Sequence, residues 1–510
     1  MIANAAVIAL NRFGLGARPG DTGLITADPR GALLAELSPD VALIEDVDLP
    51  SSGAAMQALR AFQDARKAER VVASQPAASG QAKAAAPAAM PTAAQTAPSA
   101  AATQTAPGMM ATAPGMMSGG ITSGGITSGG MTDGGMMGGA AAFSPDSLYR
   151  AEIAARVRRA RQAEIGYTER LVAFWTNHFA VQAASGEIER ALVGAFEREA
   201  IRPYVFGRFH DMLVAVTQHP AMLAYLNNVD SVGPDSQVGQ RQKRGLNENH
   251  ARELMELHTI GVDAGYTQTD VTSVADILSG WSFSRGGNDK IAAGQFEFRA
   301  NAHEPGTRAI MGKAYAEPGE QQGMTLLADL AGSPATARHL ASKLALGFIA
   351  DSPPQAAVDQ LAHVFSTSGG DLMQVSRALV TMDAAWQGPG RFRTPQQFVL
   401  AGLRALDIDP PPDLIVRSLR TLGQMPWDPP SPAGYDDSSA TWLAPDAITT
   451  RLDIANQFAQ LTDATTNPSD LAADIFAGSA SGQTTEAVAR AETRHQGLSL
   501  MLMSPDFQRI

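Results

Sequence analysis

Apolar residues recur along most of this chain at the three- and four-residue spacing of amphipathic helices. Leu171, Trp175 and His178 fall at i, i+4 and i+7, with Phe174 beside them, which predicts one buried stripe. Ser333-Pro334 opens a second helix, with Ala337, Leu340, Ala341, Leu344 and Phe348 inward. Thr267 and Asp270 have the form of a capping box before Val271, Val274, Ala275 and Leu278, and Gly280 closes that run. Thr394-Pro395 with Gln397 starts another helix. Asn247 reads as the N-cap of a helix through Ile260, with Gly261 as a left-handed stop and Val262 packing back on Leu257. Strand patterning is confined to 295–312, where Phe296 and Phe298 alternate, Glu304-Pro305-Gly306-Thr307 has type II turn chemistry, and a short run follows. The pattern predicts a mainly α fold: a multi-helical globular domain with a small β-hairpin.

One segment breaks the pattern. Residues 74–142 consist of Ala, Pro, Gly, Ser, Thr, Gln, Met and a few others, with only Lys83 and Asp133 charged. Short repeats run through it, TAPGMMA and TAPGMMS, then GITSG, GITSG and GMTDG. It holds too little apolar surface to offset its ordering entropy, so a disordered insert is expected. The domain is therefore split into a helical N-terminal part, 1–73, and a helical main body, 143–510. Paired methionines at 109/110, 116/117 and 136/137 are a thioether set for Cu(I) or, more simply, a repeat-expanded surface loop.

Composition narrows the function classes. A formal charge of −12 argues against nucleic acid as a partner. The basic run Arg156, Arg158, Arg159 and Arg161 reads as a solvated helix face. No cysteine is present, so disulfides, thiolate nucleophiles and iron–sulfur clusters are excluded. The opening MIANAAVIALNRFGLG lacks a preceding basic segment and reads as a first helix, which points to the cytoplasm. No apolar stretch reaches transmembrane length. HExxH, Walker-type, GxSxG and EF-hand motifs do not occur, and GLGARPG (14–20) reads as a turn.

Several polar residues stand at unusual positions. On a 100° wheel Glu253 lies in an apolar arc with Leu246, Leu257 and Ile260, so it needs a partner, with Arg338 or His303 as candidates. It is either half of a structural ion pair or a functional acid. His178 points inward on its stripe. His303 precedes a Pro-Gly turn and is either turn scaffold or ligand. Together His178, Glu253 and His303 have the composition of a site with two histidines and one carboxylate, for zinc or another divalent metal. His258, His339 and Glu256 fall at wheel positions expected to be exposed. Gln424, Trp427 and Trp442 flank the Pro-rich 428–433, which packs as a long loop or binds carbohydrate or peptide.

The segment NENHARELMELHTIGVDAGYTQTDVTSVADILSGWSF (247–283) resembles the core of the bacterial family called domain of unknown function 1800. LVAFWTNHFAV (171–181), FHDMLVAVTQHPAMLAYLNN (209–228), FEFRANAHEPGTRAIMGK (296–313), ATARHLASKL (335–344) and LGQMPWDPPSPAGYDDSSATWL (422–443) agree in order. The likeness covers 1–73 and 143–510. It implies a mainly helical protein without an assigned activity. It also implies a gene neighbour from a second family, number 1501, which resembles alkaline-phosphatase-like hydrolases and often carries export signals. The Asn-His-Phe triplet (177–179) recurs in the family. His250 departs from a usually apolar or aromatic position, and Tyr435 stands where Trp is usual. The expected function is a non-catalytic partner or scaffold for the hydrolase-like protein. The alternative is a metal-dependent hydrolase using His178, Glu253 and His303. Co-export with a signal-bearing partner is the periplasmic alternative to a cytoplasmic location.

Overall fold

The computed structural model describes residues 2–44, 48–74, 143–286, 291–388 and 390–510. The predicted insert lies outside the described residues apart from Ser74. The chain divides into two compact units, 1–66 with 143–510, which carries the fold, and 67–142, of which only the end of the helix Ser52–Ser74 is described. Helix makes up 63 % of the chain, against four strands of three residues each among the described residues, so the fold is mainly α. No described helix is long and apolar enough to cross a membrane.

The local punctuation acts as its chemistry dictates. Thr267 and Asp270, and Thr394 and Gln397, form reciprocal capping boxes. Ser333 accepts from Ala335 N, and Ala337, Leu340, Ala341, Leu344 and Phe348 are buried. The strands depart from expectation. Phe296–Phe298 pairs with Trp281–Phe283, and Arg308–Ile310 pairs with Lys313–Tyr315. The single hairpin expected over 295–312 is thus two separate ribbons. Pro305-Gly306 does turn, with Gly306 at φ +99°, but the strands flanking it find partners elsewhere. The second ribbon reverses at Met311-Gly312, both left-handed, and Met311 N donates to Asp270 Oδ1 at 2.7 Å.

Many short helices leave many unpaired terminal carbonyls. Buried arginines answer them. Arg404, 1 % exposed, donates to Ala160 O, Arg161 O, Ala163 O and Glu164 O at 2.6–3.2 Å, where the helix Pro145–Gln162 ends, and to Gly16 O at 2.8 Å. Arg12 holds Ala385 O and Gln387 O, both at 2.9 Å. Arg202 holds Ala42 O, at the end of the helix Pro39–Ala42, and two carboxylates, Glu169 and Glu197, at 2.8 Å each. Burial alone would pull the Arg202 guanidinium down, but these two carboxylates hold it above its ordinary value. Arg393 donates to Phe507 O at 2.6 Å, and Arg451 donates to the Gln508 side-chain Oε1 and to Arg393 O, both at 2.6 Å.

The basic run on Pro145–Gln162 corrects the solvated-face reading. Arg156 pairs with Glu197 at 3.4 Å and lies over Trp427, Arg159 pairs with Glu169, and Arg161 pairs with Asp409. Only Arg158 of the four is exposed. The reason is non-local: two buried carboxylates from later helices face this one.

Arg404→Met is expected to lose at least about 3 kcal/mol of folding stability, since several buried carbonyls would lose their donor at about 1–3 kcal/mol each. Urea unfolding midpoints of the two proteins measure this. A loss under about 1 kcal/mol would show that other groups cap that helix end.

Candidate functional site

A cleft of about 140 Å³ opens between several segments, with Phe348 and Arg391 also in its lining. The helix Tyr167–His178 presents Arg170, Phe174 and Asn177 to it, at i, i+4 and i+7 on one face. Pro145–Gln162 presents Arg156, Val157 and Ala160. Gln396, Gln397 and Leu400 come from the first turns of Pro395–Ala405, and Ile415 and Leu419 from Pro412–Thr421. The Pro-rich loop supplies Gln424, Trp427 and Tyr435.

Specific bonds hold that loop. Asn177 Nδ2 donates to Tyr435 O at 2.9 Å while Asn177 Oδ1 accepts from Tyr435 N at 2.7 Å. Neighbouring Gly434 has φ +83°, and a Cβ there would lie 2.4 Å from Asn177 O, so glycine is required. The Tyr435 hydroxyl donates within the loop to Asp428 O (2.7 Å) or Met425 O (2.9 Å). Trp427 Nε1 donates to Glu197 Oε2 at 2.9 Å, and Gln424 Oε1 accepts from Gln396 N at 2.9 Å. The stretch singled out in sequence as loop packing or a binding element is therefore a fixed wall of the cleft.

The charge in the cleft is uneven. Arg170, 6 % exposed, reaches only Gly14 O and Gly347 O, both at 3.4 Å, and lies over the Phe348 ring. It has no ion pair among the described residues. Burial, then the like charge of Arg391, lowers its pKa to about 9. Arg391 donates to the same Gly347 O at 2.9 Å, to Asp351 Oδ1 at 3.2 Å and to Asp437 O. Burial pushes the Asp437 carboxyl upward, against the pull of Lys343 and Arg391.

The predicted metal residues lie elsewhere and do not converge. His178 is buried, and its Nε2 donates to His258 O at 3.1 Å. His303 is half-buried, with Nδ1 donating to Ser279 O at 3.1 Å and its ring against Phe298. Glu253 is half-buried, with no hydrogen bond or ion pair among the described residues. Its carboxyl is raised by burial and then by Glu256. The expected partners are engaged elsewhere, Arg338 with Asp359 and His303 with Ser279. Among the described residues no group of three or more His, Asp or Glu is placed to hold a metal ion.

The wheel misplaced this helix for a physical reason. It runs as α-helix over Asn249–Glu253 and as π-helix over Leu254–His258. A turn closed i to i+5 takes in an extra residue and rotates everything after it. His258, expected outside, is 1 % exposed, and Leu257, expected inside, is half-buried. Gly261 stops the helix at φ +85°, with its N–H on Met255 O, but Val262 is 61 % exposed and does not pack back.

What gathers around this helix end is a set of histidines. His339 Nε2 donates to Leu257 O at 3.1 Å, beside the His178 bond to His258 O. The His178 ring centroid lies 6.2 Å from His258 and 6.1 Å from His339. Nδ1 of His178, Nδ1 of His258 and both nitrogens of His250 are buried with no hydrogen-bond partner among the described residues. Burial is the first cause of lowering for all four rings, taking His250 to about 4. Burial disfavours a charge on each of these rings, and two of them cap the helix end. Sequence reasoning missed Arg170 and Arg391. Arg170 was signalled only by its spacing to Phe174 and Asn177, and Arg391 by nothing local.

The model of a family described as "Protein of unknown function (DUF1800)" matches residues 8–509. No curated protein and no solved structure matches the chain.

The buried histidines set the acid response. An unfolded histidine takes a proton near about 6.5, whereas these rings resist it, so the unfolded chain binds more protons below that pH. Stability is then full above about pH 6.5 and falls as the pH drops toward the depressed folded values. Urea midpoints are expected to be flat above neutrality and to fall steadily toward pH 4. His250→Phe removes an unpartnered polar ring, so it is expected to gain about 1–3 kcal/mol at neutral pH and to flatten the acid slope. A less stable His250→Phe with an unchanged slope would show that the ring has a partner in solution.

Proposed function

The chain belongs to the DUF1800 family, and on that premise we propose that it is a non-catalytic protein that holds a small molecule in its cleft. The cleft itself carries this reading. Small-molecule sites are concave, mostly apolar and furnished with a few convergent polar groups. Here apolar residues such as Phe174, Leu400, Ile415 and Leu419 alternate with Asn177, Gln396, Gln397 and Gln424, and the loop wall is fixed by the Asn177–Tyr435 bonds. The partner role implied by the family resemblance fits the same reading. A binding protein encoded beside a hydrolase-like protein would deliver or retain that protein's ligand, and co-export with it would place the chain in the periplasm. Co-elution of the two purified proteins on gel filtration supports the partner half, and separate elution refutes it.

Ala173 lines the cleft, on the helix that carries Arg170 and Phe174. Ala173→Phe is expected to fill it while leaving the fold intact. The wild-type protein should bind Nile red saturably, one per chain, with blue-shifted emission. The variant should bind it at least about tenfold more weakly, a loss of about 1.4 kcal/mol, with an unchanged melting temperature. Equal dye binding by both proteins would remove the cleft from consideration as the ligand site.

A further inference from the structure

The charge inside the cleft runs against that of the chain. The sequence carries a formal −12, yet three guanidinium groups, Arg156, Arg170 and Arg391, line the cleft against two carboxylates, Glu169 and Asp437. Both carboxylates have cations outside the lining. Glu169 is held by Arg202 in a two-pronged pair at 2.8 and 2.9 Å, and Asp437 faces Lys343. Arg156 has Glu197. Arg170 has two weak carbonyl contacts and no carboxylate.

A buried guanidinium without an anion is costly, and a second one beside it adds to the cost. The two are close, because Arg170 Nη2 and Arg391 Nη1 point at the same carbonyl, Gly347 O, from 3.4 and 2.9 Å. Arg391 also holds Asp351 Oδ1 at 3.2 Å and Asp437 O, so of the two Arg170 is the one without a carboxylate among the described residues. The planar fork of Arg170 matches an oxyanion, which can accept two parallel N–H bonds from it, with Arg391 beside it as a second cation. The rest of the wall is apolar, with Phe174, Phe348, Leu400, Ile415 and Leu419. The interior volume of about 140 Å³ is close to that of an engineered apolar cavity of about 150 Å³ that takes up benzene.

We propose that the cleft binds a small oxyanion carrying an apolar body about the size of one aromatic ring, with the anionic end between Arg170 and Arg391. The inference rests on the ligand-binding reading of the cleft and gives that ligand its chemistry. The apolar side chains receive the body, and the anionic end meets the Arg170 charge that the fold leaves unmatched, with Arg391 alongside.

Titration calorimetry with benzoate, phenyl phosphate and benzamide tests it on the full-length protein, and the wild type alone suffices for the main comparison. At least one of the two anions is expected to bind at least about tenfold more tightly than benzamide, as charge-assisted bonds to guanidinium require. Whichever anion binds more tightly identifies a carboxylate or a phosphate ligand. Arg391→Gln and Arg170→Gln are each expected to weaken the anion and leave benzamide unchanged. Arg391→Gln serves if the more deeply buried Arg170→Gln fails to fold. Benzamide binding as tightly as both anions would overturn the anion proposal while leaving the cleft a ligand site. Failure of all three compounds, together with Nile red binding that Ala173→Phe does not weaken, would overturn the cleft reading as well.

Discussion

Unpaired carbonyls at helix ends are the constraint on which this structure turns. A fold made of many short helices multiplies its ends, and each end buried away from water needs donors from elsewhere. Arginine supplies five N–H groups in a fixed fork, and this chain sends it inside to use them. Arg404 gathers the end of Pro145–Gln162, Arg202 the end of Pro39–Ala42, and Arg12 the turn at 385–388. These donors act across hundreds of residues, so they also fix how early and late segments meet. Arg404 joins Gly16 to 160–164 from the far part of the chain. Two histidines do the same for the π-helical end at Leu257 and His258.

Electrostatics then follows from donor supply. Where a guanidinium also meets carboxylates, as Arg202 meets Glu169 and Glu197, charge balances locally: the Glu197 carboxyl, raised by burial, is pulled below its usual range by Arg156 and Arg202. Where a guanidinium meets mainly carbonyls, the positive charge is left over. Arg404, with Asp21 its one carboxylate at 3.4 Å, and Arg393 carry such surplus deep in the packing, and burial takes Arg393 to about 9. Arg170 differs from them in where it sits, on the wall of a cleft. Structural demand for donors and a cationic binding surface thus come from one residue type used in one way.

Sequence reading recovered what local chemistry determines. Capping boxes at Thr267 and Thr394 need only residues three apart, and the inward face of Pro334–Phe348 needs only periodicity. It failed where the outcome depends on distant residues. Phe296–Phe298 could pair forward or back, and only the packed fold selects Trp281–Phe283. The run Arg156 to Arg161 looked solvated because its acidic partners, Glu169, Glu197 and Asp409, are scattered along the sequence. The wheel over 247–260 failed for a third reason, a π turn that no composition rule announces, and so it exchanged His258 with Leu257. The candidate metal set was assembled from that wheel and from residue types, without any means of testing proximity.

The helix Tyr167–His178 joins the core to the cleft. Its Leu171, Trp175 and His178 face belongs to the core, with His178 donating to the π-helical end. Its Arg170, Phe174 and Asn177 face belongs to the cleft. Asn177 and His178 are adjacent yet serve opposite faces, one locking the loop at Tyr435 and the other capping Leu254–His258. Packing and capping contacts thus account for all three residues of Asn177-His178-Phe179. Each residue fastens a different piece of chain, with Phe179 stacked on Trp175 and Phe209. The His178 ring, donating through Nε2, keeps a bare Nδ1 in an unpartnered pocket, and protonating that nitrogen would place a charge beside Lys343. Charge inside this helix is thus excluded on its core face and concentrated on its cleft face. A ligand that neutralises Arg170 therefore acts on the same rigid element whose other side holds the histidine caps.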